Sequence, residues 1–329
     1  MSILITGATG FVGSSLARAL ATEGQQIIAL ARPEADRRRL AGLDIQWVSG
    51  DVTRPETLAG LFDGVEAVVH AAGRLGQAGV AAAEYHRLHV DGTRHVLQAA
   101  AAGGVKRVVY VSSPGVLGPI TGPPADETTP PAPSNAYERS KAAAEQVAHA
   151  FAAQGLPVVI ARPEFIYGPG DRHVLGLFWA VQQGRFFYIG RGQHTCHPTF
   201  IADAVDGLHR CLTRGEPGEI YHITGPRSVT FQTLGETIAA ALHVRPPWLT
   251  ISRPVAWLGA GVLEMVRQKK MWGAVMTFVF LLIAAVGIVN SVLMSVYERI
   301  REVGVLRALG FDGGEIMKMF MLEGIMIGF

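Results

Sequence analysis

Tyr137 and Lys141 stand four residues apart in Tyr137-Glu138-Arg139-Ser140-Lys141, at the opening of a predicted helix, and so share one face. An ammonium beside a phenol favours the phenolate. The pair could therefore exchange a proton with a substrate hydroxyl while hydride moves to or from a nicotinamide. Lys141 could also hold the cofactor ribose. A Tyr and a Lys at this spacing occur on many helices, so their neighbours must carry the argument. The second chemical feature is Thr6-Gly7-Ala8-Thr9-Gly10-Phe11-Val12-Gly13, directly behind the apolar run Ile3 to Ile5. Strand, glycine turn and helix start, in that order, make an anion site. Gly7 and Gly10 let the backbone approach a pyrophosphate, Thr9, Phe11 and Val12 open the helix whose free amides donate, and Gly13 permits close helix-to-strand contact.

At the end of the second apolar run, where an acid would accept from the ribose hydroxyls of NAD, the sequence reads Leu30-Ala31-Arg32. Arg32, helped by Arg37 to Arg39, could pair with a 2'-phosphate, which favours NADP over NAD. The bland alternative is that these arginines are solvated surface charges. Ser113 follows another apolar run at the end where open parallel sheets place ligands, and a short hydroxyl there can polarise a carbonyl or simply cap the loop. The cluster His194-Thr195-Cys196-His197 contains metal-ligating types but lacks a matching second pair, so no metal enters the expected mechanism.

These residues need a scaffold. Apolar runs suited to buried parallel strands recur at Ile3 to Ile5, Ile27 to Leu30, Ile45 to Val48, Ala67 to His70, Val108 to Val111 and Val158 to Ala161. Helical stretches lie between them, including Phe11 to Glu23, Tyr85 to Ala102 and Asn135 to Gln154, and this alternation predicts an α/β, doubly wound parallel sheet of the Rossmann kind. The proline-rich segment 114–133 forbids a regular helix and predicts a long loop beside the site. Beyond Pro163 come shorter pieces, helix-like at Ala202 to Thr213, strand-like at Glu219 to Thr224 and helix-like at Phe231 to Leu242. They suggest a smaller C-terminal substrate domain. The expected division is 1–163 for dinucleotide binding, 164–266 for substrate and 267–329 for a hydrophobic tail.

Taken together, the glycine turn, Asp51-Val52, His70-Ala71-Ala72-Gly73, Val111-Ser112-Ser113, the Tyr137/Lys141 pair and Arg162-Pro163-Glu164-Phe165-Ile166-Tyr167-Gly168-Pro169 resemble the extended short-chain dehydrogenase/reductase family, which includes nucleotide-sugar epimerases and dehydratases. The resemblance covers about residues 1 to 266. It implies that Ser113 binds the substrate oxygen, Tyr137 is the acid/base and Lys141 tunes it. Asp51 would contact the adenine, with Val52, Ala71, Ala72, Gly73 and Pro163 along the cofactor. Hydride transfer at a hydroxyl or keto carbon of a sugar-like or sterol-like small molecule is the expected reaction, as an oxidoreductase or an epimerase. Three positions depart from the family's pattern. Ser113 is followed by Pro114-Gly115 instead of an Asp-Glu pair, which argues against sugar dehydration. Cys196, His197 and Pro198 occupy the stretch where epimerases often place a diphosphate-gripping Arg, and His89 stands where Asn is common.

The chain's 29 Lys and Arg against 27 Asp and Glu leave no nucleic-acid footprint, and two cysteines in 329 residues exclude a disulfide framework. The short start before Ile3 leaves no room for a signal peptide, so the catalytic part is expected in the cytoplasm. Residues 271–296 contain no charged side chain and as a helix would reach ~39 Å against a hydrocarbon core of ~30 Å, which predicts a tilted membrane span that could anchor the protein to the inner membrane. The run Ala285-Val286-Gly287-Ile288-Val289-Asn290-Ser291 and the stretch from Ser295 to Gly310 resemble an FtsX-like permease of lipoprotein-releasing ABC transporters. That resemblance implies an ABC ATPase partner if the tail functions. Arg267, Lys269 and Lys270 precede the span and Arg299, Arg301 and Arg307 follow it, so both flanks favour the cytoplasmic side. The conflict suggests a chimera of reductase and permease fragment. A membrane transport component carrying a non-catalytic dinucleotide fold is the rival reading, and a homodimer stays open.

Overall fold

The computed structural model describes residues 1–120, 122–252, 254–256, 306, 307 and 310–327. The chain divides into two units, Met1–Thr250 and Ile251–Phe329. The first is built on a parallel sheet of seven strands: β1 (Ser2–Thr6), β2 (Gln26–Ala31), β3 (Ile45–Ser49), β4 (Ala67–His70), β5 (Arg107–Val111), β6 (Val158–Pro163) and, later in the chain, β11 (Ile220–Ile223). Their order is β11-β6-β5-β4-β1-β2-β3, so the direction of winding reverses between β1 and β4. In open α/β sheets a ligand crevice forms outside the carboxyl ends at such a reversal. Six strands were expected in the sheet. The seventh is the strand-like stretch 219–224, which joins the main sheet through parallel pairing of Ile220 with Ile160 and Tyr221 with Ala161.

Helices cover both faces, which explains why the strands read as continuous apolar runs. Alternation sends Leu4, Val68, Val108 and Ile160 to one side, where they pack with Val96 and Leu97 of α3 (Gly92–Ala102) and Ala144 and Ala148 of α4 (Ala136–Ala153). Ile3, Ile5, Val69 and Val109 go to the other side, against Leu16 and Leu20 of α1 (Phe11–Thr22) and Leu208 of α6 (Ile201–Arg214). The predicted helix 85–102 is not regular. It comprises the short α2 (Ala82–Tyr85), a π-helical segment (His86–Asp91) and α3. Such bulges re-aim side chains and recur at functional sites.

Small elements complete this unit: β7 (Ile166–Tyr167) beside β10 (Thr199–Phe200), β9 (Thr195–Cys196) beside β12 (Val229–Thr230), and two helices, α5 (Leu175–Gln182) and α7 (Phe231–Ala241). In the second unit, α8 (Gly313–Ile327) opens with a reciprocal cap. The Asp312 carboxylate accepts from Gly314 N and Glu315 N, while Asp312 N donates to Glu315 Oε2. The apolar stretch 271–296 lies outside the described residues. Among the described residues no helix is long and apolar enough to cross a membrane.

Candidate active site

Gly7 follows β1 at φ +71°, and a Cβ there would lie 2.6 Å from the carbonyl oxygen of Ala71, the residue after β4. A Cβ on Gly13 would collide with the Gly7 carbonyl oxygen. Neither position tolerates a side chain, because β1, β4 and α1 meet there by backbone contact. Thr6 Oγ1 accepts from Ala72 N at 3.1 Å and joins His70 Nδ1 at 2.7 Å, and His70 Nε2 reaches Thr93 Oγ1 at 3.0 Å. These bonds tie β1, β4 and α3 into one floor.

Over that floor lies a cleft of about 360 Å³ lined by Gly7, Thr9, Gly10, Arg32, Asp51, Val52, Ala71, Ala72 and Gly73. It gathers most of the residues expected along a cofactor; Phe11, Val12 and Gly13 form the first turn of α1 beside it. No side chain caps α1 and no acidic residue occupies its first turn, so its amides are left to serve an anion. This donor set fits a dinucleotide pyrophosphate. Asp51 accepts from Thr53 N and Oγ1, each at 2.8 Å. Burial opposes ionisation, but those bonds and the charges of Arg32 and Arg54 hold the carboxyl below its usual range. Arg32 pairs with Glu34 at 3.3 Å across exposed side chains. The neighbouring arginines have other partners: Arg37 stacks 4.8 Å over Trp47, Arg38 pairs with Asp36, and Arg39 donates to the Gly170 carbonyl at 2.6 Å.

The catalytic candidates sit one strand further along. Ser113 follows β5, its Oγ accepting from Gly115 N at 3.2 Å. Asn135 caps α4 by accepting from Glu138 N at 3.0 Å, and the Glu138 carboxylate accepts from Ser134 N and Oγ, fixing the turn that carries Tyr137. Burial pushes the Tyr137 phenol above its ordinary value, and the Ser113 hydroxyl beside it pulls the other way. Lys141, buried one turn on, donates from Nζ to the Val111 carbonyl at 2.8 Å and stands 4.9 Å from the centre of the Tyr110 ring. Burial lowers its ammonium to about 8, with Glu145 working against that loss. Lys141 is thus tied to the end of β5. Desolvation of the ring is the largest influence on the phenol, and the group that lowers it is the Ser113 hydroxyl, where the sequence leads us to expect Lys141.

Two residues hold Tyr137 in place: His89, noted above only as a departure from the family's pattern, and Tyr85, to which the sequence assigns no role. His89, from the π-helical segment, meets the Tyr137 ring edge-on at 5.7 Å, and Tyr85 does so at 5.8 Å. Arg74 N donates to His89 Nε2 at 3.0 Å, so the proton must sit on Nδ1, which faces Ser140 Oγ at 2.8 Å; Ser140 in turn donates to the Tyr137 carbonyl at 2.6 Å. The i, i+4 spacing of Tyr85 and His89 was the available signal. A second missed group is the buried pair Arg162–Glu145, bidentate at 2.9 and 2.7 Å, which links β6 to α4. Pro163 ends the same strand. Of the histidine-cysteine cluster, Cys196 is buried in β9 and His197 pairs with Glu164 at 3.3 Å.

Burial pushes both His70 and His89 from 6.5 down to about 3. The unfolded chain binds these protons near pH 6.5, whereas the folded chain refuses them until about pH 3. Their contribution to stability is therefore intact above pH 6.5 and is lost as pH falls towards 3, by up to ~1.4 kcal/mol per pH unit for each ring. Thermal unfolding between pH 7 and 4 should show a falling Tm, with no ring titration of His89 by NMR between pH 8 and 5. A His89 that titrates in that interval would contradict the fixed neutral tautomer.

With this geometry in place, residues 3–224 match the profile of the NAD dependent epimerase/dehydratase family. The chain belongs to that family. Residues 274–329 separately match the FtsX-like permease C-terminal profile. Among curated family members, the chain is 33% identical over 231 residues to a 4-hydroxy-2-methyl-3-oxo-4-farnesyl-3,4-dihydroquinoline-1-oxide ketoreductase of Stigmatella aurantiaca, covering 68% of each chain. It is 34% identical over 211 residues to a 2-alkyl-3-oxoalkanoate reductase of Stenotrophomonas maltophilia, covering 62% of this chain and 63% of the relative. The chain thus spans about two thirds of the length of these two reductases. Among solved structures of the family, the dTDP-glucose 4,6-dehydratase DesIV of Streptomyces venezuelae, with NAD bound, superposes at a TM-score of 0.69 and 30% identity, covering 77% of this chain and 84% of that one.

Proposed function

We propose that this chain is a nicotinamide-dependent reductase of a ketone, with Ser113 binding the carbonyl oxygen, Tyr137 protonating it and Lys141 supplying the adjacent positive charge. The observation that carries this reading is the gathering of Ser113, the half-buried Tyr137 phenol and the buried Lys141, tied to the Val111 carbonyl, at the carboxyl end of β5. Such a phenol is protonated at neutral pH and ready to donate, which suits reduction. When bound, the dinucleotide would deliver hydride to the carbonyl carbon. Tyr137 gives its proton to the carbonyl oxygen as that charge develops, and Ser113 donates to the same oxygen. Lys141, held on the Val111 carbonyl one helical turn after Tyr137, would supply a cation to the site and bind a ribose hydroxyl. Gly7, Thr9, Gly10, Phe11, Val12 and Gly13 would hold the pyrophosphate, Asp51 and Val52 the adenine, and Ala71, Ala72, Gly73 and Pro163 the remainder. The two curated relatives described above are named as reductases of oxo compounds, which supports the direction.

The purified chain, given ketones with NADPH or NADH, should consume reduced cofactor in proportion to alcohol formed. Failure to bind or oxidise either dinucleotide would overturn the proposal. Arg32 supports a preference for NADP, since it lines the cleft while Arg37 to Arg39 are engaged elsewhere. Arg32→Asp should then shift the ratio of kcat/KM for NADPH over NADH towards NADH by about tenfold or more, the worth of one charge-assisted phosphate contact. An unchanged ratio would leave Arg32 as a surface charge. The permease match supports a second reading, in which the chain is a membrane transport component joined to this fold. Copurification with an ABC ATPase subunit, without ketone turnover, would favour it.

A further inference from the structure

Past the end of β6 the chain turns through Glu164-Phe165-Ile166-Tyr167 into β7. Phe165 has φ +35°, a backbone region that a bulky side chain enters only when its surroundings force it there. The forcing contacts are present. Glu164 N donates to the Ile223 carbonyl at 3.0 Å, and the Phe165 carbonyl accepts from Thr199 N at 3.2 Å. The ring so placed meets Phe231 edge-on at 6.4 Å and lines a cavity of about 390 Å³ together with Tyr167, Phe178, Leu234 and Ile238. Among the described residues, Arg227 is the only charged one in that lining, and it is exposed.

This chemistry discriminates between substrate classes. A nucleotide diphosphate would have to shed water from two phosphates in a lining that offers one guanidinium, and each unpaired anionic oxygen there is costly. A hydrocarbon chain gains on entering the same lining. The cavity is reached from the same end of the sheet as Ser113. Phe165 lies two residues beyond Pro163, and β6 pairs directly with β5, whose carboxyl end leads to Ser113. We infer that this cavity is the subsite for an aliphatic chain, so that the ketone reduced at Ser113 and Tyr137 carries a hydrocarbon tail lodged against Phe165. The inference rests on the reductase reading for the identity of the reacting group, but the cavity's preference can be measured by binding alone.

Calorimetric titration of the full chain with methyl ketones from 2-pentanone to 2-undecanone should show Kd tightening by about three- to fourfold per added methylene until the cavity is filled. Thr237 also lines the cavity, and its hydroxyl donates within α7, to the Thr233 carbonyl at 2.7 Å. Thr237→Trp should therefore abolish the gain for the longest ketones relative to 2-pentanone. UDP-glucose should bind more weakly than 2-undecanone. A flat dependence on chain length, a Thr237→Trp variant that still distinguishes long from short ketones, or tighter binding of UDP-glucose would overturn the subsite. Turnover read in parallel separates the two ideas. Short ketones reduced with no chain-length effect would defeat the subsite alone, whereas graded binding without cofactor oxidation would defeat the reductase reading alone.

Discussion

Tyr137→Phe is expected to lower kcat for ketone reduction by about 10²- to 10⁴-fold, the usual worth of one positioned general acid, while Kd for the reduced dinucleotide changes little. The reason lies in the surroundings of the ring. Tyr85 and His89 pack its edges, Ser140 holds its backbone carbonyl and the Asn135 cap fixes its helical turn, so a phenylalanine can occupy the same place. What disappears is the hydroxyl proton. Steady-state kinetics together with nicotinamide fluorescence titration would separate the two quantities. Unchanged turnover would remove Tyr137 from the chemistry, and lost cofactor binding would make its role structural.

The second large effect concerns stability. Arg162 and Glu145 are 1% and 3% exposed, so neither charge has water to fall back on. Removing one partner leaves the other buried and uncompensated, which costs about 3–5 kcal/mol. Glu145→Ala should therefore lower Tm by about 10 °C, while the double change Glu145→Leu with Arg162→Met should recover most of the loss. Glu145 also opposes the desolvation of Lys141. Its loss should consequently move the Lys141 ammonium further below about 8, visible as an acid shift in the pH profile of turnover. A Tm within 2 °C of the parent chain would show that Arg162 finds another partner. Its 3.4 Å approach to His222 Nε2 marks the direction in which it would turn.

The scaffold was legible wherever a local pattern suffices. Buried parallel strands and the turn at Gly7 need only residues adjacent in sequence, and the structure carries them where the apolar runs lie. Elements that depend on distant partners were not. The stretch 219–224 has no local mark distinguishing a seventh sheet strand from a strand elsewhere; its place is set by the open edge of β6. The π-helical segment at His86–Asp91 was hidden because apolar periodicity over 85–102 fits a regular helix equally well. For the site, the motifs picked out residues that the structure gathers around one cleft, but the partners that fix their charge were not legible. Arg37 to Arg39 read as candidates for a phosphate until Trp47, Asp36 and Gly170 claimed them. An arginine in a continuous apolar run, as at Arg162, implies a buried counter-charge without revealing that it is Glu145.

The hydroxyl and imidazole link through Thr6, His70 and Thr93 has a kinetic corollary. Because all three side chains are already satisfied by one another, the platform beneath the pyrophosphate needs no rearrangement before a dinucleotide lands. If the cleft takes a dinucleotide as proposed, capture should accordingly proceed in a single kinetic phase whose rate scales with concentration and does not plateau.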